Sequence, residues 1–390
     1  MRVALVGPYS HGLAQSPGGV ETSFSNLLSG LVEIDGLEPN VLTFVPGLKA
    51  EERTVVDGVP VRYLPVPRRF SNPTLHMRER RTLAAALADL RPDVVHAQDA
   101  LQYGFVCLQT KRRAPVVVSI HGIVREEKRY VTGRTARLRT SVAGVAIERY
   151  CVRNARYLVA PTRYAERVFG SEIRGRLWEI PNPVADRFFE VEPTPEPGRI
   201  LFTGALIPRK RLLDLVEAFP AVLATAPHAR LRVTGGARDP AYGDVVRSRV
   251  RELGLEDIVT FLGGVSFGEL LDEYRRAWLL ALPSGEETSP MVIGEAMAVG
   301  MPVVATRVGG VSSLVEEGVT GTLVDVGDIE AVSARLVALV GDPDLRATLG
   351  AAGRAQAEER FRVTAVARKF SEMYADVQKA ATGVRPASRA

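Results

Sequence analysis

The chain has two cysteines, Cys107 and Cys151, in 390 residues. Two thiols cannot build a disulfide framework, and neither has a metal-ligand spacing, so a disulfide-stapled scaffold and a cysteine zinc site are excluded. Both lie in apolar surroundings and read as small hydrophobes in a reducing compartment. Long apolar runs are missing: nothing approaches the ~20 residues that span a bilayer. The run Val3–Val6 behind Met1-Arg2 is too short for a signal sequence and reads as a strand. The expected location is cytoplasmic, including the inner face of the membrane. The sequence has no G-x-G-x-x-G, which disfavours hydride transfer from a dinucleotide, and no Walker motif, G-x-S-x-G or His/Cys cluster. Its one Asp-x-Asp, Asp342-Pro343-Asp344, punctuates C-terminal helices and reads as a turn and cap, not as a metal-binding pair at a strand end. No metal and no other cofactor is expected.

What is present suffices for a large core, since 46% of residues are hydrophobic and 24% charged. Short Val/Ile/Leu runs at Val3–Val6, Val41–Val45, Val94–Val95 and Val116–Ile120 alternate with helix-period stretches such as Phe24–Val32 and Leu83–Leu90. The alternation stops at Pro193, Pro195 and Pro197, which forbid a helix and favour an extended connector. It restarts with Ile200–Phe202, Leu231–Val233, Ile258–Leu262, Leu279–Leu282, Val303–Ala305 and Leu323–Val324. The pattern predicts an α/β protein of two doubly wound, Rossmann-like domains facing a cleft at the carboxyl ends of their strands. The expected boundaries are a first domain over 1–189, a linker over 190–199, a second domain over 200–365, a helix over 366–379 and a disordered tail over 380–390.

The net charge of +5 is unevenly placed. Arg68, Arg69, Arg78, Arg80 and Arg81 cluster early, and Lys111, Arg112, Arg113, Arg125, Lys128, Arg129, Arg134, Arg137 and Arg139 follow. A half so basic favours anionic partners: a lipid surface, a phosphorylated acceptor or nucleic acid.

The most informative stretch runs from Leu282 to Ala298. Ser289 and Pro290 read as a helix N-cap and first residue. From Pro290 to Val304 the single ionisable side chain is Glu295. A carboxylate in so apolar a helix is costly unless paired, and a ribose diol offers two hydroxyl donors to its two oxygens. Glu287, on the preceding loop, could accept from sugar hydroxyls. The plain alternatives are a solvated helix residue and a loop charge. A second constellation is Thr203-Gly204-Ala205-Leu206-Ile207-Pro208-Arg209-Lys210-Arg211-Leu212. Three cations at a helix start are disfavoured by the helix dipole unless an anion sits there, so the turn suits a phosphate, or else is simply solvated. Gly18-Gly19 and Gly235-Gly236 allow close backbone approach, or are tight turns. His121 ends a strand, where a ring would reach a ligand, against the ordinary reading of a structural histidine; His96 reads as structural.

Together these residues resemble glycosyltransferase family 4, a retaining group with the GT-B fold, over nearly the whole chain. The likeness is carried by Gly18-Gly19, His121, Ile180-Pro181-Asn182-Pro183, Lys210, the Glu287–Glu295 pair with seven residues between, Ala296-Met297-Ala298 and Val308-Gly309-Gly310, in that order. It implies transfer of a sugar from a nucleotide-diphosphate donor, a UDP-sugar in the usual case, to a hydroxyl of a glycan, lipid-linked or small-molecule acceptor, without a metal and without nucleic acid as partner. Glu295 would hold the ribose and Glu287 the donor sugar. Lys210, sharing with Arg209 or Arg211, would hold the diphosphate, and Gly19 would offer its amide to it. Leu262-Gly263 would meet the base, Met291 and Val292 would line the donor, and His121 would contact the sugar. Gln98 and Arg125 would stand on the acceptor side, and the final helix would cross back onto the first domain. Two departures stand out: Ala205 occupies the place of a family arginine, and Thr288-Ser289-Pro290 replaces Gly-aromatic-Gly. A non-catalytic sugar-nucleotide or glycan binder is the first alternative, and a nucleotide-sugar epimerase the second.

Overall fold

β-branched runs bounded by glycine, proline and aspartate form short strands, the central ones buried on both faces, and helices make most of the connections. The computed structural model describes residues 1–9, 18–67, 76–133, 136, 138 and 140–382. Ser16, Pro17, Arg68, Arg69, Arg134, Arg137, Arg139 and tail residues 383–390 lie outside the described residues. The chain forms two units: Met1–Lys128 with Thr132–Pro183 and the chain from Val363, and Val184–Arg362 with Arg129–Val131.

The strands of the first unit are β1 (Arg2–Val6), β2 (Glu38–Pro46), β3 (Glu52–Val56), β4 (Val59–Val66), β5 (Val94–Ala97), β6 (Val116–Ser119), β7 (Tyr157–Ala160) and β8 (Arg176–Glu179). Among the described residues they form one sheet in the order β3-β4-β2-β1-β5-β6-β7-β8. Every pairing is parallel except β3 with β4, a hairpin in which Val56 faces Val59 across Asp57-Gly58. Both turn residues have positive φ, 48° and 80°, the geometry of the tight two-residue turn that Asp-Gly favours. Cys107 and Cys151 are both free and buried in this unit's core. The last helix, Val363–Thr382, belongs to this unit. It buries Val363, Val366, Ala367, Phe370, Met373, Tyr374 and Val377, one helical face, and packs on the helix Gly19–Val32. At about 1.5–3 kcal/mol for each large apolar side chain, that face alone anchors the helix.

The second unit carries β9 (Arg199–Thr203), β10 (Arg230–Thr234), β11 (Val259–Gly263), β12 (Leu279–Leu282), β13 (Val303–Thr306) and β14 (Gly321–Val324). All pair in parallel, in the order β11-β10-β9-β12-β13-β14. The order reverses between β9 and β12, and the carboxyl ends of those two strands frame the crevice where such sheets bind ligands. The stretch read as a linker, 190–199, lies in this unit. There the amides of Thr194 and Glu196 donate to the carbonyls of Arg275 and Arg276 at 2.9 and 2.8 Å. Asp342 caps the helix Pro343–Arg360, its Oδ1 accepting from the Leu345 amide at 2.8 Å. Among the described residues no helix is long and apolar enough to cross a membrane.

Candidate active site

The site is built from the two loops that leave β9 and β12. After β9 the chain passes Gly204 and makes a short 3-10 turn, Pro208–Lys210, before the helix Leu212–Thr225. The cations expected at the helix start therefore sit on the turn before it. Arg211 is the N-cap, at a left-handed φ of 49°, and its Nε donates to Asp214 at 2.7 Å. It points into its own helix, while Arg209 and Lys210 face the β12 loop.

On that loop Glu287 gathers the neighbouring donors. Lys210 Nζ donates to its Oε1 at 2.6 Å, Ser284 Oγ to the same oxygen at 2.7 Å, and Arg209 Nη1 to its Oε2 at 3.3 Å. The backbone ties the loops together as well: the Gly285 amide donates to the Arg209 carbonyl, and Arg209 Nη1 to the Glu286 carbonyl, both at 2.8 Å. Burial opposes ionisation of Glu287, but the charges of Lys210 and Arg209 outweigh it and hold the carboxyl below its ordinary value. Lys210 and Arg209 thus converge on one carboxylate in a largely buried corner, and their N–H groups are the donors that an anion would meet there. A glycine is required beside it. At Gly309, φ 49°, a Cβ would collide with the Glu287 carbonyl, which the Gly310 amide also caps at 2.8 Å.

Glu295 lies on the helix Met291–Val299. That helix starts one residue later than expected: Pro290 is the N-cap, at ψ 118°, and no side chain caps it. Glu295 is 6% exposed. Tyr274 donates its hydroxyl to Glu295 Oε2 at 2.7 Å. Burial raises the Glu295 carboxyl to about 7, with the Tyr274 bond and the Lys210 charge pulling the other way. Met291 and Val292 are the first residues of this helix, where amides lack intrahelical acceptors. Leu262 and Gly263 close β11 at the same carboxyl edge; Gly263, φ 69°, accepts from the Gly235 amide at 2.7 Å.

The first-unit residues are placed as follows. Gly19 opens the helix Gly19–Val32, and among the described residues nothing lies within 4 Å of a Cβ built there. His121 follows β6, and its Nε2 lies 3.4 Å from Gln98 Oε1. Gln98, expected on the acceptor side, is 1% exposed, with its amide lodged between His121 and His96. Arg125 bonds Glu172 at 2.7 Å and lies over the Phe169 ring at 4.4 Å. The structure thus brings Arg209, Lys210 and Glu287 together and leaves Arg211 apart. Sequence reading missed Tyr274 and Ser284, and also the segment Arg129–Val131. In the second unit Arg129 Nη2 donates to Glu286 Oε2 at 3.1 Å and Tyr130 to the Gly285 carbonyl at 2.8 Å. Ser284, three residues before Glu287, was the one with a usable local signal.

Comparison with known proteins shows the family and the fold. Residues 185–356 match the family described as glycosyl transferases group 1, and residues 18–175 match the glycosyl transferase 4-like domain. The chain belongs to glycosyltransferase family 4. It is similar to the phosphatidyl-myo-inositol mannosyltransferase of Mycobacterium leprae, 29% identical with 100% of both chains covered. The D-inositol 3-phosphate glycosyltransferase of Corynebacterium glutamicum is 37% identical over 180 residues, 45% of this chain and 43% of that one. The N-acetyl-alpha-D-glucosaminyl L-malate synthase of Bacillus anthracis is likewise matched over 42% of its own length. The chain thus spans less than half the length of these two curated family members. Among solved structures, the fold matches sucrose-phosphate synthase of Thermosynechococcus elongatus with a TM-score of 0.78 at 23% identity, covering 97% of this chain and 99% of that one. Anabaena HepE in complex with UDP and glucose matches with a TM-score of 0.74 at 22% identity, covering 95% and 99%. The family fold, GT-B, is the fold of this chain.

Proposed function

We propose that this protein is a retaining glycosyltransferase that moves a sugar from a UDP-sugar to a hydroxyl acceptor. The observation that carries the reading is the convergence of Lys210 and Arg209 at the β9–β12 crevice, with a buried carboxyl on the following helix. In this reading the diphosphate takes the place beside Lys210 and Arg209, and Arg209 supplies the second cation that Ala205 lacks. Glu295 keeps Oε1 for the ribose hydroxyls while Tyr274 holds Oε2. Glu287 meets the donor sugar, and Met291 and Val292, the first residues of the Glu295 helix, line the donor. Leu262-Gly263 borders the base, and Gly19 and His121 contribute from the first unit. The acceptor oxygen bonds to the anomeric carbon as the bond to the diphosphate oxygen breaks. The acceptor proton leaves on that phosphate, and Lys210 and Arg209 stabilise the charge that develops. UDP is the nucleotide held by Anabaena HepE, while a relative named as a GDP-mannose-dependent mannosyltransferase makes GDP the rival.

Thermal-shift titration with UDP, GDP, ADP and TDP, followed by donor-sugar screening with the nucleotide that binds, tests this directly. Lys210→Ala should lower turnover about 100- to 1000-fold, the scale seen when one charge-stabilising group is removed, with the fold retained. Normal turnover of both Lys210→Ala and Glu295→Ala would dismiss the site. A non-catalytic sugar-nucleotide binder is the reading that Ala205 favours; any transfer or slow donor hydrolysis on prolonged incubation, read by mass, decides against it. The basic stretch of sequence 124–139, running into 141–156, supports association with an anionic membrane; the expected result is salt-sensitive binding to anionic vesicles, and no binding at low salt would retire it, while the exposed Arg78 and Arg81 suit an anionic acceptor.

A further inference from the structure

The first unit holds a chain of polar side chains that the proposed reaction does not account for. Tyr374, on the last helix, is fully buried, and its hydroxyl lies 2.6 Å from Nδ1 of His96 in β5. The other ring nitrogen of His96, Nε2, lies 2.8 Å from Ser119 Oγ at the end of β6. Gln98, just past β5, places its Nε2 3.2 Å from the same Nδ1 and its Oε1 3.4 Å from Nε2 of His121. Asn182 adds a side-chain hydrogen bond to the His121 ring, and its Oδ1 accepts from Ser23 Oγ at 3.0 Å. Space for the bridging amide depends on Gly7, where a Cβ would come within 2.6 Å of Gln98 Cβ and 2.7 Å of its Cγ.

The direction of each hydrogen bond follows from which groups can donate. An amide nitrogen only donates, so His96 Nδ1 is an acceptor, and the Tyr374 hydroxyl donates to it as well. His96 then carries its hydrogen on Nε2 and gives it to Ser119 Oγ. With its nitrogen towards His96, Gln98 turns its carbonyl to His121, so His121 carries its hydrogen on Nε2 too. Burial pushes His96 down to about 3 and His121 to about 4, so both are neutral and the tautomer, not the charge, is the variable. The reverse arrangement is open to the other members named: Ser119 donates, His96 shifts its hydrogen to Nδ1, the Gln98 amide flips, His121 becomes the Nδ1–H form, and Asn182 turns its own amide, with Ser23 Oγ as acceptor. Tyr374 alone resists it. Among the described residues its hydroxyl has no acceptor besides His96, and reversal would strand a buried O–H.

We propose that Tyr374 is a positioning residue that fixes the tautomer of His121 through His96 and the Gln98 amide. This rests on the reading of His121 as the residue that meets the donor sugar. The test uses the full chain labelled with 15N in the histidine rings, whose two-bond proton–nitrogen spectra identify the tautomer of each ring. In the wild type His96 and His121 should both be Nε2–H. In Tyr374→Phe the Nδ1–H form of His121 should rise at least several-fold, with kcat falling and the KM for donor little changed. Should that variant fail to fold, Gln98→Leu cuts the link with Tyr374 in place, and His121 should become mixed while His96 keeps its form. A His121 that holds its wild-type tautomer in whichever variant folds overturns the proposal, including when turnover drops. A changed tautomer with unchanged turnover upholds the link and instead removes His121 from the proposed reaction.

Discussion

Glu295 shows how burial turns one side chain into a functional variable. Its carboxyl sits near 7 because burial penalises the charged form more than Tyr274 and Lys210 favour it. The sign of the linkage follows. Between the ordinary carboxyl value and about 7 the native protein keeps a proton that the unfolded chain releases. This contribution to stability is full below the ordinary value and is lost as pH rises through about 7. Ribose hydroxyls need the ionised form, so nucleotide binding should strengthen over the same interval in which that stability is lost. Calorimetric titration of UDP at pH 6 and pH 8 should show a gain of about tenfold attributable to this residue, the change in ionised fraction for a group at 7. UDP itself titrates in this range, so the quantity to read is the difference from Glu295→Gln, in which the step should vanish. A variant that keeps the same step would place the titration elsewhere. The carboxyl was legible because it is the one charge in an apolar run. Tyr274 was not, because an aromatic on an amphipathic helix reads as core, and it is core too: its ring meets Phe188 edge-on at 5.2 Å.

Among the elements, the last helix shows how a period of apolar residues becomes a tertiary contact. Val363, Val366, Phe370, Met373 and Val377 follow the helical repeat, so the helix was readable as amphipathic from its residues. That it crosses back onto the first domain came from the family resemblance, as the structure bears out, but the helix it meets there was not readable, because that depends on a gap in another helix. Gly30 is that gap: a Cβ there would stand 2.6 Å from Val363 Cγ1 and 2.8 Å from Ala367 Cβ. Gly30→Ala should therefore destabilise the first unit by about 1–3 kcal/mol, the cost of overpacking, even though alanine is the better helix former. Urea unfolding should show a lower midpoint at unchanged slope. An unchanged or higher midpoint would mean that the helices part without cost. Strand order and the hairpin at Asp57-Gly58 divide the same way. The Asp-Gly pair is a local signal that was present and unread, whereas the reversal between β9 and β12 is fixed by long-range pairing that no local window contains.

For the molecule as a whole, the groups assigned to the nucleotide fall almost entirely in one unit. Arg209, Lys210, Leu262, Gly263, Glu287, Met291 and Glu295 all belong to Val184–Arg362, while Met1–Lys128, Thr132–Pro183 and the last helix belong to the other. The sequence offers a probe for each, since it has two tryptophans. Trp178 lies on β8 in the first unit, and Trp278 just before β12 in the second, with Arg346 stacked over its ring at 3.9 Å. In Trp178→Phe the fluorescence reports the second unit alone, and in Trp278→Phe the first. A ligand at a hundred times its dissociation constant stabilises what it binds by about 2.7 kcal/mol, and in a body of this size each kcal/mol moves the midpoint by about 2–4 °C. Saturating UDP should raise the Trp278 transition by roughly 5–10 °C and the Trp178 transition by clearly less. Equal shifts would show that the units unfold as one cooperative body. A shift confined to Trp178 would move the nucleotide out of the β9–β12 crevice and with it the reading of Lys210, Glu287 and Glu295.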